Sequence, residues 1–422
     1  MSTAQQAITI AERLLDPAKV LAAVPDRPAA SLQSLAGTAL LHARLAQVDP
    51  AFEAAARAHW DTAAAQPRPP AAHSGVFTAP GGMAASLILA QPYLLDPEPH
   101  HADVRHAVKW LTAQTTSKAA DHRHRLRRDP ATPPTWKLYD AITGLAGTGR
   151  ILLAALTNGH CDAEPGLIAA LTTLTTMINT PRSETRPGWW LPADGHPTSG
   201  IPPSGVAETG MAHGIAGPLT LLATSATAGW MVDGQSTAIR VATSWLLAWQ
   251  TPETTSWPPY ITGAELDNQQ PATMPIRGRR DAWCYGTPGI SRALTAAGRA
   301  LHDPRPAQTA FNAISAQAER TADQWDTQGP ALCHGTAGVL QAATSHPATA
   351  EPATTADLAA AALVTAIDPR HAFAVQNLHH HTVTDDPGLL TGAAGIALAL
   401  ADHGGLPAPQ NPARWDAALL MT

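Results

Sequence analysis

The chain contains 422 residues, of which 45% are hydrophobic and 14% charged, and its formal net charge of −6 leaves no broad basic field that would favour nucleic acid as a partner. The N-terminal stretch MSTAQQAITIAERLLDPAKV lacks the continuous apolar core of a signal peptide, and no apolar run approaches the roughly 18 residues of a membrane span. We therefore expect a cytoplasmic protein that does not insert into a membrane.

A short glycine pattern recurs along the chain and predicts a repeat architecture. Each copy has two glycines three residues apart, followed by an apolar segment that favours a helix. Two weaker copies, SLAG at 34–37 and APGG at 79–82, have Ser34 or Ala79 in place of the first glycine. The clear copies are TGLAG at 143–147, HGIAG at 213–217, YGTPG at 285–289, HGTAG at 334–338 and TGAAG at 391–395. The final glycines of these seven repeats are 45 to 72 residues apart, which leaves room for a helix pair in each.

The sequence between the motifs has helical rather than strand periodicity. Asp103 is expected as an N-cap, and a single apolar helix face follows it. That face carries Val104, Ala107, Val108 and Leu111. We therefore predict an all-α fold in which the glycine-headed helices form an inner ring and bring their N-termini together at one end. A linear solenoid is the alternative geometry.

Three further stretches are predicted to be loops or solvated ends. Residues 188–205 are too rich in glycine and proline for regular structure, and the histidine run at 379–381 is expected in an exposed loop. The basic run RHRLRR at 123–128 is expected to be a solvated helix end or loop, with a peptide-docking patch as the alternative.

The repeats differ from one another in the residues just before or within the glycine motif. Polar or reactive side chains stand there at Asp140, His213, Cys284, Tyr285, Cys333 and His334. If the repeat is real, all of them lie at the same structural corner, although they span nearly 200 residues. We therefore expect the functional residues at one end of the ring.

Cysteine usage points to a metal rather than to disulfides. Three cysteines cannot form a disulfide framework, and their odd number fits a reducing compartment. Cys284, Cys333 and His334 form a donor set suited to one zinc ion, with the fourth position left for water or substrate. Cys161 lies outside the glycine pattern, and buried structural cysteines beside a satisfied histidine are the alternative interpretation. Because two thiolates already neutralise Zn²⁺, such a site is suited to activating a further thiol.

Other residues near the motifs suggest proton transfer. His213 is a candidate proton donor or acceptor, and Asp140 could hold its tautomer. Arg280 could stabilise an enolate oxygen or form a surface salt bridge. Tyr285 could hydrogen-bond or simply pack.

The chain resembles the lanthionine synthetase C-like cyclases in four of these motifs. They are WCYGTPG at 283–289, LCHGTAG at 332–338, AHGIAG at 212–217 and LYDAITGLAG at 138–147. The likeness covers seven recurring segments over nearly the full length. It implies an α,α-toroid of seven inner and seven outer helices with one zinc ion at its end. We accordingly treat 1–422 as one domain, with 90–134 as a variable insertion rather than a separate domain.

The resemblance also implies a reaction and its participants. The thiol of a cysteine in a dehydrated precursor peptide adds to dehydroalanine or dehydrobutyrine, and a lanthionine or methyllanthionine thioether ring closes. Dehydration would be performed by a separate lanthipeptide dehydratase, and a transporter is a further candidate partner.

Site roles follow from the same motifs. Carried over by resemblance, the metal ligands would be Cys284, Cys333 and His334. His213 would act as general acid or base. Asp140, Arg280 and Tyr285 would assist around the enolate.

Three other functions fit parts of the pattern. A related cyclase-like protein that adds glutathione to dehydrated residues would share the zinc triad. A zinc-dependent protein prenyltransferase also activates a peptide thiolate, but it needs an aromatic-lined cavity, and four Phe and four Tyr leave mainly the 12 Trp to build one. A noncatalytic peptide-binding scaffold would not need His213 and Asp140 beside the ligands.

Overall fold

Helices make up almost all of the regular structure. The computed structural model describes residues 1–67, 75–198, 200–251, 254–269, 280–344, 350–379, 382–410 and 413–421. Its α-helices are α1 (Thr3–Arg13), α2 (Pro17–Ala23), α3 (Leu35–Leu45), α4 (Pro50–Ala65), α5 (Gly81–Ala90), α6 (His101–Arg128), α7 (Trp136–Tyr139), α8 (Leu145–Thr157), α9 (Glu164–Asn179), α10 (Ala216–Thr227), α11 (Gln235–Ala248), α12 (Gly263–Asn268), α13 (Thr287–Leu301), α14 (Pro304–Gln317), α15 (Thr336–Thr344), α16 (Ala350–Ala366) and α17 (Ala393–His403). Short 3-10 helices lie at Gln91–Tyr93, Glu98–His100, Cys161–Ala163, Ala193–Gly195, Ala322–Gln324 and Trp415–Leu419. The strands are β1 (Val206–Glu208), β2 (Tyr260–Thr262), β3 (Asn377–His379) and β4 (Thr382–Thr384).

The helices form two concentric rings. The inner ring consists of α3, α5, α8, α10, α13, α15 and α17, each of which begins at or next to a glycine motif. Each inner helix packs against the next, and α17 packs against α3, so the ring closes. The outer ring consists of α1, α4, α6, α9, α11, α14 and α16, each packed on one or two inner helices. Within the described ranges this is the predicted α,α-toroid of seven inner and seven outer helices, and α1 supplies the outer partner of α17.

Main-chain hydrogen bonds join the glycine motifs of neighbouring repeats at one end of the rings, which we call the site end. The Ala212 N–H donates to the Cys284 carbonyl (3.1 Å), and the Cys284 N–H donates to the Cys333 carbonyl (3.2 Å). The Leu389 N–H donates to the Leu32 carbonyl (2.9 Å) and thereby joins the seventh repeat to the first. A linear stack of repeats contacts only its sequence neighbours and has no such closing bond, so the solenoid alternative is excluded.

Close main-chain approach explains why the motif needs its second glycine. A Cβ atom built on Gly289 would lie within 3.0 Å of the Trp283 carbonyl oxygen. The same holds for Gly338 and the carbonyl oxygen of Leu332. Because real Cβ atoms do not tolerate such contacts, any larger residue would push the first helical turn away from the segment that precedes it. In these two repeats that segment ends in Cys284 and Cys333.

The helix α6 shows where the sequence prediction was right and where it was wrong. Its predicted apolar face is buried, at Val104, Ala107, Val108 and Leu111. Asp103 is not the N-cap, because the 3-10 helix at Glu98–His100 leads directly into α6 and leaves His100 in the capping position. Asp103 instead lies in the first turn, where its charge still faces the positive end of the helix dipole.

The basic run at 123–128 forms the end of α6, and its arginines are exposed. The expectation of a solvated helix end is therefore confirmed. At 28 residues α6 is long, but its composition is polar. None of the helices in the described ranges is long and apolar enough to cross a membrane.

Two short antiparallel sheets interrupt the helical pattern, and the sequence does not predict them. β1 pairs with β2, with Val206 opposite Thr262 and Glu208 opposite Tyr260. Each strand has three residues, which is too short for alternation to stand out from the surrounding loops. β1 follows the stretch 188–205, whose described part is irregular apart from a 3-10 turn and one β-bridge, and it carries Glu208 to the site end.

The second sheet, β3 with β4, lies at the histidine run that the sequence predicts as an exposed loop. His379 ends β3. Residues 380 and 381 lie outside the described residues, so the prediction for the run as a whole stays a prediction.

The segment 413–421 lies inside the ring and supports the motif that carries Cys284. The indole N–H of Trp283 donates to the Leu419 carbonyl (2.8 Å), and the Arg292 guanidinium donates to the Met421 carbonyl (3.0 Å). Trp283 is fully buried. Because Trp283 is the neighbour of Cys284 in sequence, these bonds help to fix the backbone from which the thiol extends.

A buried histidine pair packs between α3 and α4. The rings of His42 and His59 meet edge to face, with centroids 4.9 Å apart. His42 Nε2 bonds to the Ala11 carbonyl and His59 Nε2 to the Leu15 carbonyl, each at 3.1 Å. Burial, and then the neighbouring His59, lower the pKa of His42 from 6.5 to about 3. Burial also lowers the pKa of His59.

We expect the free energy of unfolding to fall as the pH drops from 6.5 towards 3. In this window the unfolded chain binds a proton that folded His42 does not accept, so stability that is fully present above pH 6.5 is lost on acidification. The loss from His42 approaches about 1.4 kcal/mol per pH unit. Denaturant unfolding at a series of pH values measures it.

The variant His42→Gln, whose amide can still donate to the Ala11 carbonyl, should make the stability less dependent on pH. His106→Gln replaces an exposed histidine and is the matched control. An unchanged pH dependence in His42→Gln would contradict the assignment.

Candidate metal and catalytic site

Two neighbouring repeats bring Cys284, Cys333 and His334 together at the site end. Cys284 lies in the turn before α13, and the other two residues lie in the turn before α15. The two turns are held in register by the bond from the Cys284 N–H to the Cys333 carbonyl. One sulfur or nitrogen atom from each residue lies within 4.8 Å of the others, and Cys284 Sγ is 2.9 Å from His334 Nδ1.

Both cysteines are buried and neither is in a disulfide. A hydrogen bond from Cys333 lowers the pKa of Cys284 well below its usual value, and His334 acts in the same direction against the effect of burial. The hydrogen bond to Cys284, together with burial, raises the pKa of Cys333 well above its usual value. Of the two thiols, Cys284 is therefore the more acidic.

The sulfur of Cys284 also affects the pKa of His334. Burial alone would lower its pKa, but the hydrogen bond to Cys284 and the charge of that sulfur outweigh burial, and the pKa lies above the usual value. The charge of Arg280 acts in the opposite direction on this pKa.

The donor set fits zinc. Tetrahedral bonds of about 2.3 Å to sulfur and about 2.0 Å to nitrogen place donor atoms about 3.5 to 4 Å apart. The three donor atoms lie within 4.8 Å of one another, so small side-chain adjustments would bring them onto one ion. Among the described residues no further Cys, His, Asp or Glu joins this group. Cys161 is exposed, in the 3-10 helix between α8 and α9. Three protein donors without a fourth match an open zinc site rather than a closed structural one.

His213 and Asp140 form a hydrogen-bonded pair, contributed by two further repeats. His213 Nδ1 lies 2.7 Å from Asp140 Oδ2. The carboxylate is buried, and its other oxygen accepts from the Thr143 N–H (2.7 Å) and hydroxyl (3.2 Å). Because the carboxylate accepts the Nδ1 proton, Nε2 of a neutral His213 carries the lone pair. The side chain of His213 is 24% exposed, so this imidazole can be reached from solvent.

The ring of Trp136 packs on one face of His213, with centroids 4.0 Å apart and planes 22° apart. It also touches His196, at 5.4 Å between centroids. Trp136 begins the four-residue helix α7 and precedes Asp140 by four positions. Nothing in the sequence marks Trp136, because it lies outside the glycine motif in a segment too short to show periodicity.

Tyr285 hydrogen-bonds to a buried carboxylate that the sequence analysis also missed. Its hydroxyl donates to Glu208 Oε2 (3.0 Å), and its ring centroid lies 6.4 Å from that of His213. A signal for Glu208 was present in the sequence. It stands six residues before Gly214, just as Arg280 stands six residues before Gly286 in the next repeat.

Arg280 lies at the rim of the cluster. Its guanidinium is 39% exposed and lies 3.5 Å from Asp326 Oδ1. Of the two roles that the sequence left open, the structure contains the surface salt bridge. Its positive charge also acts to lower the pKa of His334, against the effect of the Cys284 sulfur.

Comparison with known proteins agrees with this architecture. The family model described as "Lanthionine synthetase C-like protein" matches residues 30–420. Among solved structures, nisin cyclase superposes with a TM-score of 0.74 and 17% sequence identity, covering 94% of this chain and 93% of that chain. At this identity the likeness shows a shared fold alone. No curated protein matches the sequence significantly. Because the family match spans nearly the whole chain, the chain belongs to the lanthionine synthetase C-like family.

Proposed function

We propose that the chain is a zinc-dependent lanthipeptide cyclase. Its reaction is the addition of a cysteine thiol of a dehydrated precursor peptide to dehydroalanine or dehydrobutyrine, which forms lanthionine or methyllanthionine. The observation that carries the proposal is the convergence of Cys284, Cys333 and His334 beside the His213–Asp140 pair. Family membership supports the same reaction class.

The three clustered side chains would hold the metal. When bound there, a zinc ion would lower the pKa of a thiol that reaches it and leave the sulfur nucleophilic. Cys284 and Cys333 are buried, and the main-chain bond between their turns limits movement of the ligands. The chain itself therefore supplies a preorganised set of ligands.

His213 is suited to moving the proton. With Nδ1–H directed to Asp140, its Nε2 can accept the proton that the thiol releases. The resulting imidazolium is stabilised by the buried carboxylate, which the Thr143 N–H holds in place. The same Nε2 then donates to the α-carbon.

The reaction needs no further reactant, because the bonds that form and break account for every atom and electron. The S–H bond breaks, the sulfur bonds to the β-carbon, and the alkene electron pair moves onto the α-carbon and its carbonyl as an enolate. Protonation of the α-carbon completes the thioether, and the peptide mass is unchanged. Arg280 places a positive charge at the rim, where an enolate oxygen could be stabilised.

The proposed reaction implies a substrate and two protein partners. The substrate is a peptide that a separate dehydratase has already modified, and a transporter for the product is a further candidate partner. A cytoplasmic location is proposed as well, because the site requires reduced sulfurs and all three cysteines are free.

Incubation of the zinc-loaded protein with a dehydrated, cysteine-containing peptide tests the function. We expect the number of alkylatable peptide thiols to fall while the unalkylated peptide mass stays constant, because cyclisation is an isomerisation. Mass spectrometry after thiol alkylation measures both quantities. Samples without protein, and with protein stripped of metal by a chelator, are the controls.

Two outcomes would contradict the proposal. Thiol loss at the same rate in all three samples would mean that the protein does not catalyse ring closure. A mass increase of one glutathione, seen only when glutathione is added and without loss of peptide thiols, would assign the chain to intermolecular thiol addition instead.

A further inference from the structure

A second histidine–carboxylate pair lies beside the proposed site. Glu208 ends β1, and both of its carboxylate oxygens are engaged. Oε1 lies 3.1 Å from His196 Nε2, and Oε2 accepts from the Tyr285 hydroxyl at 3.0 Å. The side chains of Glu208 and His196 are 4% and 1% exposed, so solvent does not compete for these bonds.

The hydrogen bonds determine which nitrogen of His196 carries the proton. The Thr198 main-chain N–H donates to His196 Nδ1 (3.1 Å), so this nitrogen is an acceptor. His196 Nε2 must then be the protonated nitrogen, and it donates to Glu208. Both nitrogens of His196 are thus used within the protein, and this histidine has no proton or lone pair left for a substrate.

Tyr285 is constrained in the same way. A phenol has a single proton, and Tyr285 gives it to Glu208. The ring also packs closely against Gly210, where an added Cβ atom would lie 2.5 Å from Tyr285 Cδ1.

We propose that Glu208, which His196 holds in place, is a positioning residue for Tyr285. It accepts the only proton of the Tyr285 hydroxyl, so the tyrosine contacts the substrate with its aromatic ring and with an oxygen that can only accept hydrogen bonds. This rests on the proposed cyclase function and revises the role at the enolate that the family resemblance implies for Tyr285. Tyr285 does not donate to the enolate. Its oxygen can instead accept a hydrogen bond from a backbone N–H of the peptide substrate.

The variant Glu208→Gln reverses one of these bonds. The glutamine side chain has one acceptor oxygen for two donors, His196 Nε2–H and the Tyr285 hydroxyl. When the oxygen accepts from His196, the NH₂ group lies next to Tyr285, and the phenol proton is free to bond elsewhere. We expect kcat to fall about tenfold in Glu208→Gln and about tenfold in Tyr285→Phe, the upper end of what one hydrogen bond between neutral groups contributes. The double variant should be no slower than Tyr285→Phe within a factor of two, because Glu208 acts through Tyr285.

A double variant that is about a hundredfold slower would overturn the proposal, since additive effects mean that Glu208 acts independently of Tyr285. The matched control is Glu53→Gln, which neutralises another buried carboxylate in the first repeat. It should leave kcat unchanged. KM and zinc content are measured for every variant, because a general loss of structure would change both.

A readout without turnover separates this proposal from the cyclase function. The chain has four tyrosines, so ring-carbon NMR of protein labelled at tyrosine Cζ gives few signals. The Tyr285 signal, identified by its absence in Tyr285→Phe, should shift in Glu208→Gln and not in Glu53→Gln. If Glu208→Gln does not fold, Glu208→Asp withdraws the carboxylate from the phenol and serves instead.

The outcomes are distinguishable. A shift in a protein that forms no thioether leaves the positioning role intact and removes the cyclase proposal. Thioether formation with no shift in the Glu208 variants removes the positioning role and leaves the cyclase proposal.

Discussion

Replacing Cys333 by alanine is expected to reduce bound zinc from about one ion per chain to a small fraction, and to abolish thioether formation. Only three protein donors are grouped in the described part of the chain, so the loss of one leaves two. Metal analysis after dialysis and the alkylation assay measure the two losses. Alanine is accommodated without a new polar contact at this buried position, so the thermal unfolding of the metal-free variant should stay close to that of the metal-free parent.

The matched control is Cys161→Ala, which removes the exposed cysteine between α8 and α9. It should retain both zinc and activity. Full zinc content in Cys333→Ala, or equal loss in Cys161→Ala, would contradict the assignment of the ligands.

The variant His213→Asn is expected to slow ring closure by about 100-fold or more while zinc content is unchanged. His213 bonds to Asp140 and is not part of the cysteine and histidine group, so its loss removes proton transfer without removing a ligand. Single-turnover rates measured with a dehydrated peptide, together with metal analysis, test both parts.

Asp140→Asn should produce a similar defect, because an amide no longer fixes the proton on Nδ1 of His213. His106→Asn, an exposed histidine on the outer helix α6, is the control and should retain full activity. Loss of zinc in His213→Asn would show that the imidazole is a ligand, and the division between metal-binding and proton-transfer residues would be wrong.

The sequence predicts the ring and the clustered site for the same physical reason. A glycine that permits close main-chain approach recurs at the head of each inner helix, so residues at equivalent positions in different repeats meet at one end. Cys284 and Cys333 are adjacent in space because each lies just before such a helix. The repeat alone therefore predicts which distant residues lie close together, even when the packing of the helices is unknown.

Closure of the ring could not be read from the pattern. The bond from Leu389 to Leu32, and the use of α1 as the outer partner of α17, join residues more than 350 positions apart. A linear stack would have the same glycine motifs. Whether the ends meet depends on the small rotation between successive helix pairs, and that rotation is set by side-chain packing.

The residues around the proton-transfer pair were predictable only in part. His213 and Asp140 lie at the motif, whereas Trp136 and His196 come from a one-turn helix and an irregular loop, where no periodicity marks them. Glu208 lies in a strand of three residues. The spacing of Glu208 from Gly214 could have marked it as a candidate, but nothing in the sequence pairs it with Tyr285. Whether Tyr285 forms a hydrogen bond or only packs could be decided only with the neighbouring side chain in place.

The measurement that tests the central claim most directly is zinc K-edge X-ray absorption on the metal-loaded protein without substrate. We predict two sulfur neighbours at about 2.3 Å, from Cys284 and Cys333, and two lighter neighbours at about 2.0 Å, from His334 and solvent. In Cys333→Ala this signature should disappear with the metal. A spectrum with fewer than two sulfur neighbours, or with four donors that all come from protein side chains, would contradict an open site built from these three residues.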